Sequence, residues 1–132
     1  MSQKQLLAYL PATTEQAEQA IAAFEAINPT LFQNRGNLKH MLAEGWVEPY
    51  TVTLDGVPAL VLFVSYSPDG GLWVHVAQAL RTTNLLATFQ AVEVIREFKG
   101  LKYIRFLTVR KGIVETALQL GYSIDGLILS KV

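Results

Sequence analysis

Apolar positions change period several times along the chain, and each change marks an element. Ala17, Ala20, Ile21 and Phe24 recur at i, i+3, i+4 and i+7, which predicts an amphipathic helix. Its start is written in Thr13-Thr14-Glu15-Gln16, where Gln16 follows a threonine cap by three residues as in a capping box. Asn28-Pro29 ends it. Ahead of it, Leu6–Leu10 is a short strand closed by Pro11. Leu38, Met41 and Leu42 predict a second, shorter helix that Asn37 can cap, with Gly45 at its exit. The pattern then becomes strand-like over Tyr50–Leu54 and Val57–Tyr66, joined by Asp55-Gly56, a pair suited to the positive-φ positions of a type I′ turn. Ser67–Gly71 is a further turn into the strand Leu72–Leu80. Helical spacing returns with Leu85, Phe89, Val92, Ile95 and Phe98 and stops at Lys99-Gly100. Tyr103–Val109 reads as a strand, Gly112–Leu120 as a helix stopped by Gly121, and Ile124–Lys131 as a last strand.

The resulting order is β-α-α-β-β-β-α-β-α-β, an α+β chain with a mixed sheet of α/β type. The sheet is expected to be mainly antiparallel, with one right-handed parallel crossover from Leu72–Leu80 to Tyr103–Val109. No repeat, linker or low-complexity tract divides residues 1–132, so one domain is expected. A chain that is 51% hydrophobic and 17% charged is an ordered one. Its 11 basic residues balance its 11 acidic residues, which argues against nucleic acid or an anionic membrane surface as a partner. A local exception runs from Arg96 to Lys111, with Lys99, Lys102, Arg105 and Arg110 between them against Glu97 alone. A solvated helix end and strand flank account for it, with an anion contact at its C-terminal end as the alternative. Cysteine is absent, which removes disulfides and thiolate metal sites. The longest apolar run, Val57–Val64, is far short of the roughly 20 residues of a membrane-spanning helix. LLAYL before Pro11 is too short for a secretory signal. A soluble, cytoplasmic protein is the expectation.

The order of elements resembles the GNAT superfamily of N-acetyltransferases over essentially the whole chain, in the manner of the small, degenerate members familiar from phage and prophage genomes. Gly121-Tyr122, ahead of the final strand, also looks like the Gly-aromatic pair found there in many members. The resemblance implies that acetyl-CoA, or another acyl-CoA, lies between the strands corresponding to Leu72–Leu80 and Tyr103–Val109, its pantetheine arm along the first and its pyrophosphate on the loop and helix start that follow. The cofactor-binding positions would then be Val76, Gln78, Arg81, Thr82, Thr83 and Asn84. The family's loop pattern is Gln or Arg, two residues, Gly, one residue, then Gly or Ala. Gln78 fills the first place, but Arg81 and Thr83 stand where the small residues belong, and a register starting at Arg81 gives Asn84 and Leu86 instead.

The loop therefore has no glycine, yet part of an anion site survives. A helix N-terminus offers N–H groups without intrahelical partners at the positive end of its dipole, and Thr83 or Asn84 is a good cap. Glycine's own contribution is a backbone that phosphate can approach without meeting a Cβ. Arg81, Thr82 and Thr83 add bulk there, but also hydroxyls and a guanidinium able to grip phosphate through two bonds. The two readings are a side-chain phosphate site and a plain capped helix with an exposed arginine.

Aminolysis of a thioester is served by a general base and a general acid. The resemblance implies a carboxylate on the central strands and a tyrosine on the last helix. Leu72–Leu80 contains no Asp or Glu, and Gly112–Leu120 no tyrosine. The substitutes are His75, whose intrinsic pKa suits a base, Glu48 at the start of the second strand, and Tyr122 if its ring turns towards the opening. Strand alternation places His75 on one face with Trp73 and Ala77, so a hydrogen-bonded sheet histidine is the plainer reading. Edge solvation is the plainer reading for Glu48, and core packing for Tyr122. His75 and His40 make no metal site, no serine has a GxSxG context, and Trp46, Trp73, Tyr50 and Phe63 are expected core aromatics.

Two functions remain open. One is acyl-CoA-dependent N-acyltransfer to an unidentified amine. The other is a non-catalytic protein of the same fold that engages a protein partner or an assembly. An exposed edge at Ile124–Lys131 would also allow homodimerisation by sheet extension.

Overall fold

The computed structural model describes residues 7–27, 38–81, 85–106 and 111–122. Nine elements follow one another: β1 (Leu7–Pro11), α1 (Thr14–Ile27), α2 (Leu38–Ala43), β2 (Glu48–Leu54), β3 (Val57–Tyr66), β4 (Gly71–Ala79), α3 (Leu85–Lys99), β5 (Tyr103–Phe106) and α4 (Lys111–Gln119). They agree with the order expected as far as α4; the last strand expected, Ile124–Lys131, lies outside the described residues, as does Asn37. The five strands form one sheet in chain order, β1-β2-β3-β4-β5. All pairs are antiparallel except β4 with β5.

The turn signals fold as their chemistry requires. Asp55 (φ 54°) and Gly56 (φ 80°) both take positive φ, and with Leu54 paired to Val57 they close the two-residue hairpin between β2 and β3. At the start of α1, Thr13 N–H donates to Gln16 Oε1 at 3.0 Å and Gln16 N–H donates to Thr13 Oγ1 at 3.1 Å, the reciprocal capping box. Gln16 Oε1 also accepts from the buried Thr51 Oγ1 of β2 at 2.8 Å, so one side chain both caps the helix and ties it to the sheet.

The sheet is covered on two faces. Ala17, Ala20, Ile21 and Phe24 of α1 pack with Leu38 of α2 on Val61, Phe63 and Val76. On the opposite face, Ala87, Ala91, Val92 and Ile95 of α3 cover Val52, Leu60, Leu62, Val64, Leu72 and Val74. Leu60, Leu62, Val64 and Phe63 are essentially sealed from water, and each such side chain contributes roughly 1.5–3 kcal/mol by burial. Phe89 of α3 and Ala117 of α4 form a third, smaller cluster with Phe106 and Tyr122.

Two expectations fail in the aromatic residues. Trp46 is 55% exposed, its ring edge-on to His40 at 5.3 Å, so it is no core residue. Phe98, expected on the inward stripe of α3, is 81% exposed and meets Tyr9 edge-to-face at 6.2 Å. Trp73 is only half-buried, whereas Tyr50 and Phe63 are buried as expected.

Candidate functional site

His75, Val76, Gln78 and Arg81 lie on or just after β4, and the strand has an irregularity that the sequence does not announce. Phe63 pairs with Val76 while its neighbour Val64 pairs with Val74, so β4 holds one residue more than β3 and the extra residue is His75. A bulge of this kind bends the strand and sharpens its twist. It also shifts the alternation of side chains. Val74 packs under α3 and Val76 under α1, while Ala77 returns to the α3 side. Trp73 and Ala77 therefore do not share a face, contrary to the even alternation expected for this strand. His75 Nε2 instead hydrogen-bonds Ser65 Oγ at 2.8 Å, and Ser65 is the cross-strand partner of Trp73.

The bulge stands at a particular place in the one parallel ladder of the described residues. That ladder runs from Gly71↔Tyr103 through Leu72↔Ile104 and Trp73↔Arg105 to Val74↔Phe106, the last described pair. His75 is the next residue of β4, so the strand bends where its described pairing with β5 ends.

Of the cofactor candidates, Val76 is buried beneath α1 and Gln78 is 8% exposed, its Nε2 donating to the carbonyl of Ala79 at 3.2 Å. Arg81 is exposed in the bend directly after β4. Thr82, Thr83 and Asn84 lie outside the described residues, and α3 begins at Leu85. A strand bent at His75, an exposed guanidinium where it ends, and a 15-residue helix starting beyond it are compatible with an extended thioester arm and a phosphate group.

The three catalytic candidates stand apart. Glu48, exposed, accepts a hydrogen bond from Tyr50 Oη at 2.8 Å, and Tyr66 Oη in turn donates to Tyr50 Oη at 3.0 Å. Lys99 Nζ lies over both tyrosine rings, at 5.7 and 5.4 Å. Burial, then the bond to Tyr50, pushes the Tyr66 phenol well above its ordinary range. This group belongs to the α3 face, opposite the Ser65–His75 pair. Tyr122 packs its ring against Phe89 (5.4 Å) and Phe106 (6.0 Å), and its hydroxyl donates to Glu93 Oε1 at 3.4 Å. Burial first, then the negative field of Glu93, pushes that phenol up to about 12. Core packing was the plainer expectation for Tyr122, and its ring packs so. The left-handed turn at Gly121 (φ 90°) positions it, since Tyr122 N–H reaches back to the Ala117 carbonyl at 3.0 Å.

Sequence reasoning passed over a second group on the Ser65–Trp73 face. Arg105 lies over the rings of Tyr103 (4.9 Å) and Trp73 (5.6 Å). Tyr103 and Ser67 both donate hydroxyls to Asp69, and Gly71 N–H donates to Ser67 Oγ at 2.9 Å. Those bonds, and the Arg105 charge to a lesser degree, hold the Asp69 carboxyl below its usual range. The signal in the sequence was the basic run itself, but which aromatic each cation would meet depends on the parallel register. Among the described residues no cluster of three His, Asp or Glu could hold a metal ion, and no helix is long and apolar enough to cross a membrane.

Known structures place this geometry in a class. The ribosomal-protein-alanine N-acetyltransferase from Brucella melitensis biovar Abortus 2308 matches with a TM-score of 0.66 at 11% identity, over 96% of this chain and 98% of that one. A transcriptional regulator from Bacillus halodurans C-125 matches with a TM-score of 0.66 at 13% identity, over 96% and 99%. The aminoglycoside N-acetyltransferase AAC(6')-Iy in complex with CoA matches with a TM-score of 0.58 at 12% identity, over 100% and 97%. Among the described residues, the mixed five-stranded sheet with one parallel pair thus has the GNAT fold. At these identities the likeness is one of fold. No protein-family model matches the sequence, and no curated protein matches it.

Proposed function

We propose that the protein is an acyl-CoA-dependent N-acyltransferase acting on a small amine. The observation that carries this reading is the bulge at His75, set immediately after Val74↔Phe106 in the parallel β4–β5 ladder. In this reading the bend frees one edge of β4 beyond Val74 for the pantetheine arm, which pairs with the strand as an added β-segment would. Val76 and Gln78 flank the arm, and Arg81 with Thr82, Thr83 and Asn84 meets the pyrophosphate. The bound acyl-CoA supplies the activated thioester. Strand N–H groups at the bulge would polarise its carbonyl. His75, oriented by Ser65, would take the proton of the amine as the amine nitrogen bonds the carbonyl carbon. The C–S bond would break, and the CoA thiolate would leave and take up a proton. Glu48 is a remote alternative base on the other face, and Tyr122 a phenol that stays protonated and so can act only as an acid.

The test is thermal unfolding during titration with acetyl-CoA. Binding to the folded state stabilises it by about 2.7 kcal/mol at a hundredfold excess over Kd, which raises Tm by several degrees. Arg81→Ala is expected to weaken binding about tenfold, consistent with the loss of one charge-assisted contact. An unchanged Tm at millimolar acetyl-CoA overturns the reading. It would favour a second one, a non-catalytic protein-binding role, which the glycine-free loop and the exposed Leu86, Val94 and Phe98 of α3 support.

A further inference from the structure

The group on the Ser65–Trp73 face has a construction that a solvated strand edge does not require. Gly71 leaves room for the Tyr103 ring, which lies so close that a Cβ at Gly71 would stand 2.2 Å from it. Tyr103 is then pinned by its hydroxyl to the Ser67–Asp69 turn. On this fixed ring, and on Trp73 across the ladder, rests the Arg105 guanidinium. Two aromatic faces help to hold the plane of this solvent-facing guanidinium, and so remove much of the rotamer entropy that an exposed arginine loses when it binds. The indole beneath it carries a buried N–H, Trp73 Nε1, that finds no acceptor among the described residues. A buried donor left without an acceptor is a cost that an incoming oxygen can relieve. A planar guanidinium and an unmatched N–H on one platform are the complement of a carboxylate.

We propose that Arg105 and Trp73 bind a carboxylate on the acceptor, and that the acceptor is a short peptide or an ω-amino acid. The inference rests on the acyltransferase reading for the amine's position. Trp73 and His75 are two residues apart on one strand, and with the bulge at His75 their separation is at most about 7 Å of strand rise. A ligand with its carboxylate at Trp73 and its amine at His75 needs that separation, which a dipeptide or short ω-amino acid provides. Asp69 lies beside the platform, but its negative charge is engaged by two hydroxyls and by Arg105 itself.

The first test needs no turnover. The chain has two tryptophans, Trp46 and Trp73, so an amide correlation spectrum holds two indole N–H signals, and the exposed Trp46 is the internal control. Glycylglycine at constant ionic strength is expected to shift the Trp73 signal saturably and leave Trp46 unmoved. Glycylglycinamide should have no such effect. Inorganic phosphate tested alone identifies a general anion site if it competes. Arg105→Gln should abolish the shift, and Arg105→Lys, which keeps the charge but not the fork, should weaken it about tenfold. In the transfer assay, Arg105→Gln should raise KM for glycylglycine ten- to a hundredfold and leave glycylglycinamide unaffected. A Trp73 signal indifferent to the carboxylate, or one that phosphate moves as strongly, overturns the proposal. Since that result is read without acyl-CoA, it leaves the acyltransferase reading to be judged by its own titration.

Discussion

Gly71 carries no side chain because Tyr103 fills the space that one would need. Gly71→Ala would put a methyl group 2.2 Å from that ring, and overpacking of this kind costs roughly 1–3 kcal/mol. Denaturant unfolding should show that loss, and a Tyr103→Ala background should remove most of it, because the two positions are coupled through one contact. In the sequence Gly71 reads as a turn residue. Its partner lies on another strand, so nothing local reveals the constraint. Tyr122 makes a second residue-level prediction. Its folded-state pKa, raised to about 12 by burial and Glu93, exceeds the ordinary value near 10. The protonated phenol is therefore favoured by folding: its contribution is complete below about pH 10 and is lost as the pH rises through about 12. Tyr66, raised in the same sense, adds to that alkaline loss. Tyr122→Phe and Tyr66→Phe should each flatten the fall in stability over this range, followed by unfolding at several pH values. An unaltered profile in both would contradict the assignment.

Elements show where periodicity suffices and where it does not. The spacing of Ala17, Ala20, Ile21 and Phe24 identified the buried face of α1 because that helix lies wholly over the sheet. The same argument misplaced Phe98, since it lies in the last turn of α3, 81% exposed, where its ring meets Tyr9 of β1 edge-to-face. Phe98→Ser should thus change stability by less than about 0.5 kcal/mol, while the sealed Ile95, one turn earlier, should cost about 2–5 kcal/mol on truncation to alanine. The capping box of α1 was legible from Thr13 to Gln16, but its second duty was not. Gln16→Ala removes the cap and strands the buried Thr51 hydroxyl, for an expected loss of about 1–3 kcal/mol. The bulge at His75 was hidden for a different reason. LWVHVAQAL alternates evenly, and a one-residue slip exists only relative to β3. The candidate site was accordingly named in its residues but not in its faces.

At the scale of the molecule, the five described strands follow chain order in the sheet. Each antiparallel pair joins consecutive strands, and β5 alone must wait for a helix to cross before it can pair. Hydrogen exchange under native conditions should therefore find the slowest amides in β3, enclosed on both sides, and faster ones in β5. Equal protection in β5 would argue against this ranking. The same layout has a consequence for birth of the protein. During synthesis, residues 48–79 can close as a local meander soon after they emerge, whereas the β4–β5 seam has the higher contact order and must form later. A half-made chain would hold His75 and Trp73 in place yet lack Arg105 opposite them, so acceptor recognition would arise only once the C-terminal third has been delivered.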